Sequence, residues 1–76
     1  EPLDDIEKRR FKEDLQKTIA GLPERERLVM SLYYDEELNL REIGAILSVS
    51  ESRVCQIHSQ ALLRVKSRMA AWRNEQ

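Results

Sequence analysis

The chain has 76 residues, 36% charged and 41% apolar, with 13 Lys and Arg against 14 Asp and Glu for a formal net charge of −1. That length permits one small domain burying only about 60% of the surface its unfolded chain exposes, while the apolar content is too high for an obligately disordered tail. Two Gly and two Pro argue against a turn-rich sheet fold, the single Cys55 excludes a disulfide framework or a multi-cysteine zinc site, and no run approaches the ~20 apolar residues of a membrane helix.

The chain shows no basic-then-apolar leader, and its start at Glu1 without Met reads as a piece cut from a longer protein. The expected fold is all-α, four helices in a single domain over residues 1–76, in a reduced compartment. Asp4, with Glu7 three residues on, is expected to cap the first helix. Ile6, Phe11, Leu15 and Ile19 give its apolar stripe, and Gly21 its left-handed stop. Pro23 opens the second helix, where Glu24 and Glu26 favour the positive end of the dipole. Leu28-Val29-Met30-Ser31-Leu32-Tyr33-Tyr34 is apolar nearly all round, which predicts the buried central helix. Asp35-Glu36-Glu37 reads as a short connection. Asn39 and Glu42 mark a third start, with Leu40, Ile43, Ile46 and Leu47 as its stripe. Ser48-Val49-Ser50 is a tight turn, and Ser50 caps a last helix carrying Val54, Ile57, Ala61, Val65 and Met69. No Pro or Gly interrupts that helix before the chain ends.

Residues 1–37 carry a charge balance of −4 and residues 38–76 one of +3. A basic second half suits a domain that presents one end to a polyanion, although a spread of this size is often just a solvated helix face.

Residues 40–59 fit a helix-turn-helix. Leu40, Ile43, Leu47, Val49, Val54 and Ile57 occupy the positions where two steeply crossing helices interlock, and Gly44 falls at the closest approach. An ordinary helical hairpin would not need six apolar positions and a small residue in this register. Ser48 stands where many such turns use Gly, so a left-handed angle there would be slightly strained.

At about 100° per residue the Val54-Ile57-Ala61-Val65 stripe points inward. Ser52, Gln56, Ser59 and Leu63 then point outward, with Arg53 and Gln60 on one flank and Cys55 on the other. Arg pairs with guanine O6 and N7, Gln with adenine N6 and N7, and Ser with either, so this face suits base edges. A merely solvated face would more commonly carry Glu and Lys. Arg41, Arg64, Lys66 and Arg68 can hold phosphates, though each taken singly is as readily a surface charge. Glu51 serves the helix dipole, or accepts from a cytosine amine, or orients Arg53. His58 reads as a boundary histidine, Cys55 as a small flank residue, and Tyr33, Tyr34 and Trp72 as packing groups. No catalytic or metal-ligating set is present, and neither an enzyme nor a cofactor is expected.

Leu22-Pro23-Glu24-Arg25-Glu26-Arg27, Leu32-Tyr33-Tyr34, Glu36-Glu37-Leu38-Asn39-Leu40-Arg41-Glu42-Ile43-Gly44, Ser50-Glu51-Ser52-Arg53-Val54 and Gln56-Ile57-His58-Ser59-Gln60-Ala61 together resemble region 4 of bacterial RNA polymerase sigma factors, best the flagellar type. The resemblance covers roughly residues 15–69. It implies a helix-turn-helix whose last helix reads the promoter −35 element in the major groove. The positions carried over as base-reading are Glu51, Ser52, Arg53, Gln56, Ser59 and Gln60. Leu40, Arg41 and Ser50 fall at the backbone-contacting helix starts, and Arg64 and Lys66 join them as backbone contacts. The resemblance further implies promoter DNA, the polymerase core through its β flap and a dedicated anti-sigma factor as partners, with a cytoplasmic location, no membrane and no small-molecule substrate. Cys55 departs from housekeeping members, which carry a basic residue there.

Two other readings stand beside this one. The fragment could serve chiefly as a protein-interaction module for the anti-sigma factor or the flap. It could also be the output domain of a helix-turn-helix response regulator, which usually dimerises through a helix following the recognition helix; here the recognition helix is expected to be last. Leu63 projects opposite the apolar stripe with Leu62 beside it, and the pair is expected to form a partner surface, although lone exposed leucines are common.

Overall fold

The computed structural model describes residues 2–74; most of them are helical and none is in a strand. Helix α1 runs Pro2–Ala20, α2 Glu24–Met30, α3 Leu40–Leu47, α4 Glu51–Arg68 and α5 Ala70–Asn74, with a π-helical turn at Ser31–Asp35 extending α2.

α1 starts earlier than the sequence signals. Proline is well placed in a first turn, so the helix begins at Pro2 and Asp4 lies inside it instead of capping it. Asp4 and Asp5 still sit at the positive end of the dipole. The expected stripe is only half used: Leu15 and Ile19 are half-buried, while Ile6 and Phe11 remain exposed. Residues 4–13 are all exposed. Acids standing four residues before bases (Asp4 and Lys8, Asp5 and Arg9, Glu13 and Lys17) support a helix with little tertiary contact. This projecting half accounts for a radius of gyration of 14.4 Å, where a rounded chain of this length would have about 11 Å.

Gly21 is not left-handed; no glycine has a positive φ. The Gly21 N–H donates to the carbonyls of Lys17 and Thr18, and the Leu22 N–H to Ile19, which tightens the last turn. Pro23, extended at φ −51 and ψ 147, then stops the helix by restricting the residue before it. α2 is central but not buried all round. Val29 and Met30 are inside, whereas Leu28 and Tyr34 face solvent, because neighbours cover only one side of α2 and its extension. The Glu36 N–H reaches back five residues to Ser31, and Glu37 takes a left-handed φ of 56 before the chain enters α3.

α3 opens on a complete capping box: Asn39 Oδ1 accepts from the Glu42 N–H at 2.8 Å, and Glu42 Oε1 accepts from the Asn39 N–H at 2.9 Å. Ile43 is fully buried, but Ile46, expected on the same stripe, is exposed. Its helical angle lies about 90° from the centre of the Leu40-Ile43-Leu47 face. Ser48 does adopt the left-handed conformation, φ 59 and ψ 41.

Two small cores result. Val29, Ile43, Val54 and Ile57 form one, flanked by Leu32, Tyr33, Leu38, Leu40, Leu47 and Val49. Leu22, Met30 and Ala61 form the other, flanked by Ile19 and Val65. The last helix is not continuous. It breaks at Met69 (φ −98, ψ 11), and α5 turns back onto α1. Trp72 Nε1 donates to Asp14 Oδ2 at 3.0 Å, the Trp72 ring meets Phe11 edge-on at 5.4 Å, and Thr18 Oγ1 donates to Met69 Sδ at 3.4 Å. The second helix of the helix-turn-helix, expected to be the last, is therefore followed by a short helix, which packs within its own chain.

Candidate nucleic-acid interface

The site is built at the crossing of α3 and α4. The Val49 N–H donates to the Gly44 carbonyl at 2.9 Å, and a Cβ at Gly44 would stand 2.7 Å from the Val49 carbonyl oxygen. Only glycine lets the two helices approach this closely. Ser48 makes the reversal, and Ser50 Oγ accepts from the Arg53 N–H at 3.0 Å to cap α4. Val54 and Ile57 bury one face of α4 in the core, which turns the opposite face outward.

That opposite face is polar and exposed: Ser52, Arg53, Gln56, Ser59 and Gln60 are all accessible. Arg53 Nη1 donates to Gln56 Oε1 at 3.4 Å, so the two side chains offering the most hydrogen bonds to bases lie together. Glu51 is exposed as well and lines a shallow depression with Tyr33, Tyr34 and Arg41 at the starts of α3 and α4.

The predicted backbone contacts divide. Arg41 and Lys66 are exposed. The Leu40 side chain packs against the core, and Ser50 Oγ accepts the cap bond, which leaves its O–H able to donate. Arg64 departs from the expectation of a free phosphate contact: its Nε lies 3.0 Å from both carboxylate oxygens of Glu26, donating to Oε2. Arg68 likewise bonds within the chain, Nη1 donating to the Gly21 carbonyl at 3.1 Å on the surface.

Sequence reasoning missed the burial of Glu26, which it placed at the dipole only. The signal was available, since Glu26 precedes Val29 and Met30 by three and four residues and so shares their apolar face. His58 is half-buried, with Nε2 sharing a 3.1 Å hydrogen bond with the Tyr34 hydroxyl and its ring 4.9 Å from that of Tyr33. Cys55 is a free, exposed thiol. Leu63 is 66% exposed and Leu62 borders it at 37%. No helix among the described residues is long and apolar enough to cross a membrane.

A three-residue turn, a glycine at the crossing and a second helix with one buried and one polar face define a helix-turn-helix domain. The family model described as sigma-70, region 4 matches residues 18–67, and the chain belongs to that family. It is 58% identical over 74 residues to the RNA polymerase sigma factor FliA of Pseudomonas aeruginosa, covering 97% of this chain and 30% of that protein. It is 50% identical over 68 residues to FliA of Escherichia coli K12, covering 90% and 28%. The RNA polymerase sigma-D factor of Bacillus subtilis is 47% identical over 66 residues, covering 87% and 26%. The chain thus spans less than a third of the length of these curated relatives. No solved structure matches it.

Proposed function

We propose that this chain is the promoter-reading module of a flagellar-type sigma factor, a non-catalytic cytoplasmic protein that directs RNA polymerase to its promoters. Residues 1–76 act as one domain, and α4 enters the major groove of the −35 element. Arg53 and Gln56 are the principal base readers, with Ser52, Ser59 and Gln60 beside them; Glu51 serves the start of the helix instead. Arg41 and Lys66 take phosphates, and the free N–H groups at the first turn of α3 add to them. Promoter DNA and the polymerase core, engaged through its β flap, are the partners, together with an anti-sigma factor at the surface around Leu62 and Leu63. The response-regulator reading is set aside, because the chain belongs to the sigma-70 family.

The observation that carries this reading is the adjacent, exposed Arg53 and Gln56 on a helix whose opposite face is buried at Val54 and Ile57. The test is Gln56→Ala in the sigma factor assembled with core polymerase. Discrimination at one position of the −35 element should fall by about 1–3 kcal/mol. Unchanged promoter preference would show that α4 is oriented otherwise on DNA.

A further inference from the structure

Glu26 is a carboxylate only 5% exposed, on a helix with no part in the DNA contacts proposed above. Burying such a charge is unfavourable unless it is paired. Its partner is Arg64, whose Nε lies 3.0 Å from both oxygens while Oε1 accepts no aligned hydrogen bond. The pair joins α2 to the second half of α4.

Its surroundings say what such a contact can do. Near the start of α4, Val29 of α2 packs with Val54 and Ile57. Beyond them the buried residue on α4 is Ala61, against Leu22 and Met30, and its methyl group sets a distance there but adds little shape against rotation of this second half. A charge-assisted hydrogen bond is directional. One turn further along, Arg68 repeats the restraint at the Gly21 carbonyl. Arg53 lies eleven residues before Arg64, about 16 Å along the axis, so a tilt of about 5° about Arg64 would move it by about 1.4 Å. Hydrogen bonds to base edges do not survive a displacement of that size.

We propose that Glu26 is a positioning residue for promoter reading: through Arg64 it fixes the roll and tilt of α4, and so the alignment of Arg53 and Gln56 on the bases. The inference rests on the reading of α4 as the base-reading helix. Arg64 is then a half-exposed strut of the reading head.

The test uses the sigma factor carrying this region, assembled with core polymerase. Two promoters compete in one reaction, one intact and one with its −35 element scrambled, and the ratio of open complexes is read. Molecules in which this region has unfolded would use the two promoters alike and lower the ratio, so each variant is compared at a temperature where thermal melting shows the region folded. Replacing the pair together, Glu26→Leu with Arg64→Leu, removes both charges without stranding either. The ratio should fall by about threefold to tenfold, part of the discrimination of one bidentate base contact. Glu26→Gln keeps an oxygen for Nε and should hold the ratio within about twofold. A ratio unchanged in the paired variant overturns the inference; Glu26→Ala, judged by the same criterion, takes its place if the paired variant does not fold. Gln56→Ala run in parallel separates the two readings. If it lowers the ratio and the paired variant does not, only the positioning role fails; if neither lowers it, the reading of α4 fails as well.

Discussion

Arg53 and Arg64 stand on one helix, about 20° apart in projection, and they are used in opposite ways. Arg53 lies in the half of α4 opposite α3, where contact is made by close steric approach at Gly44 and by Val54 and Ile57; its guanidinium stays outside beside Gln56. Arg64 lies further along, where the facing side chain on α2 is a buried carboxylate, and its guanidinium pairs with it while staying half exposed. Residue type and helical angle are nearly the same for both. What differs is the neighbouring element, so an arginine on this helix reads as an anchor or a ligand-binding group only once its neighbour is known.

The first half of α4 is most sensitive at its steric contact. Gly44→Ala places a Cβ 2.7 Å from a backbone oxygen that cannot swing aside. It should lower stability by about 1–3 kcal/mol, the largest loss expected here, and thermal melting measures it. An unaltered melting temperature would mean that the crossing has room to relax.

Next, Arg64→Ala should cost about 1–2 kcal/mol, because Glu26 is left buried without its donor, although water can enter once the half-exposed arginine is gone. Arg53→Ala should change stability by less than about 0.5 kcal/mol. Equal losses in the two variants, by denaturant titration, would erase the distinction between the two halves.

Ser48→Gly tests the turn that delivers the reading half. The left-handed φ of 59 strains serine, and glycine relieves that strain while losing more backbone entropy on folding. The net expectation is between zero and about 1 kcal/mol of added stability. A clear loss would show that the serine side chain contributes something the backbone angle does not reveal.

The smallest effect is expected at Leu63, 66% exposed beyond the reading face. Leu63→Lys should alter stability by less than about 0.5 kcal/mol and leave promoter choice intact. Binding to the anti-sigma factor, measured by titration, should weaken. Full retention of that binding would return Leu63 to an ordinary surface leucine.

Much of this was legible residue by residue. The Asn39–Glu42 box, the Ser50 cap and the left-handed Ser48 follow from local chemistry, because each depends on atoms within three or four residues. The inward set of Val54, Ile57 and Ala61 follows from helical period. The errors also have local causes. Gly21 suggested a left-handed stop where Pro23 does the stopping, and Asp4 suggested a cap where Pro2 already serves the first turn.

Periodicity and capping act over a few residues, and they suffice for an all-α chain, a helix-turn-helix at residues 40–59 and the polar outer face of its second helix. The packing of the helices settles the rest: Ile6, Phe11 and Ile46 stay exposed, the last helix breaks at Met69 so that Trp72 reaches Asp14, and Glu26 is buried against Arg64. The difference is one of reach. Arg64 lies 38 residues from Glu26, and Trp72 58 from Asp14, and which charges meet across such separations is set by the packing of whole helices, which no local pattern specifies.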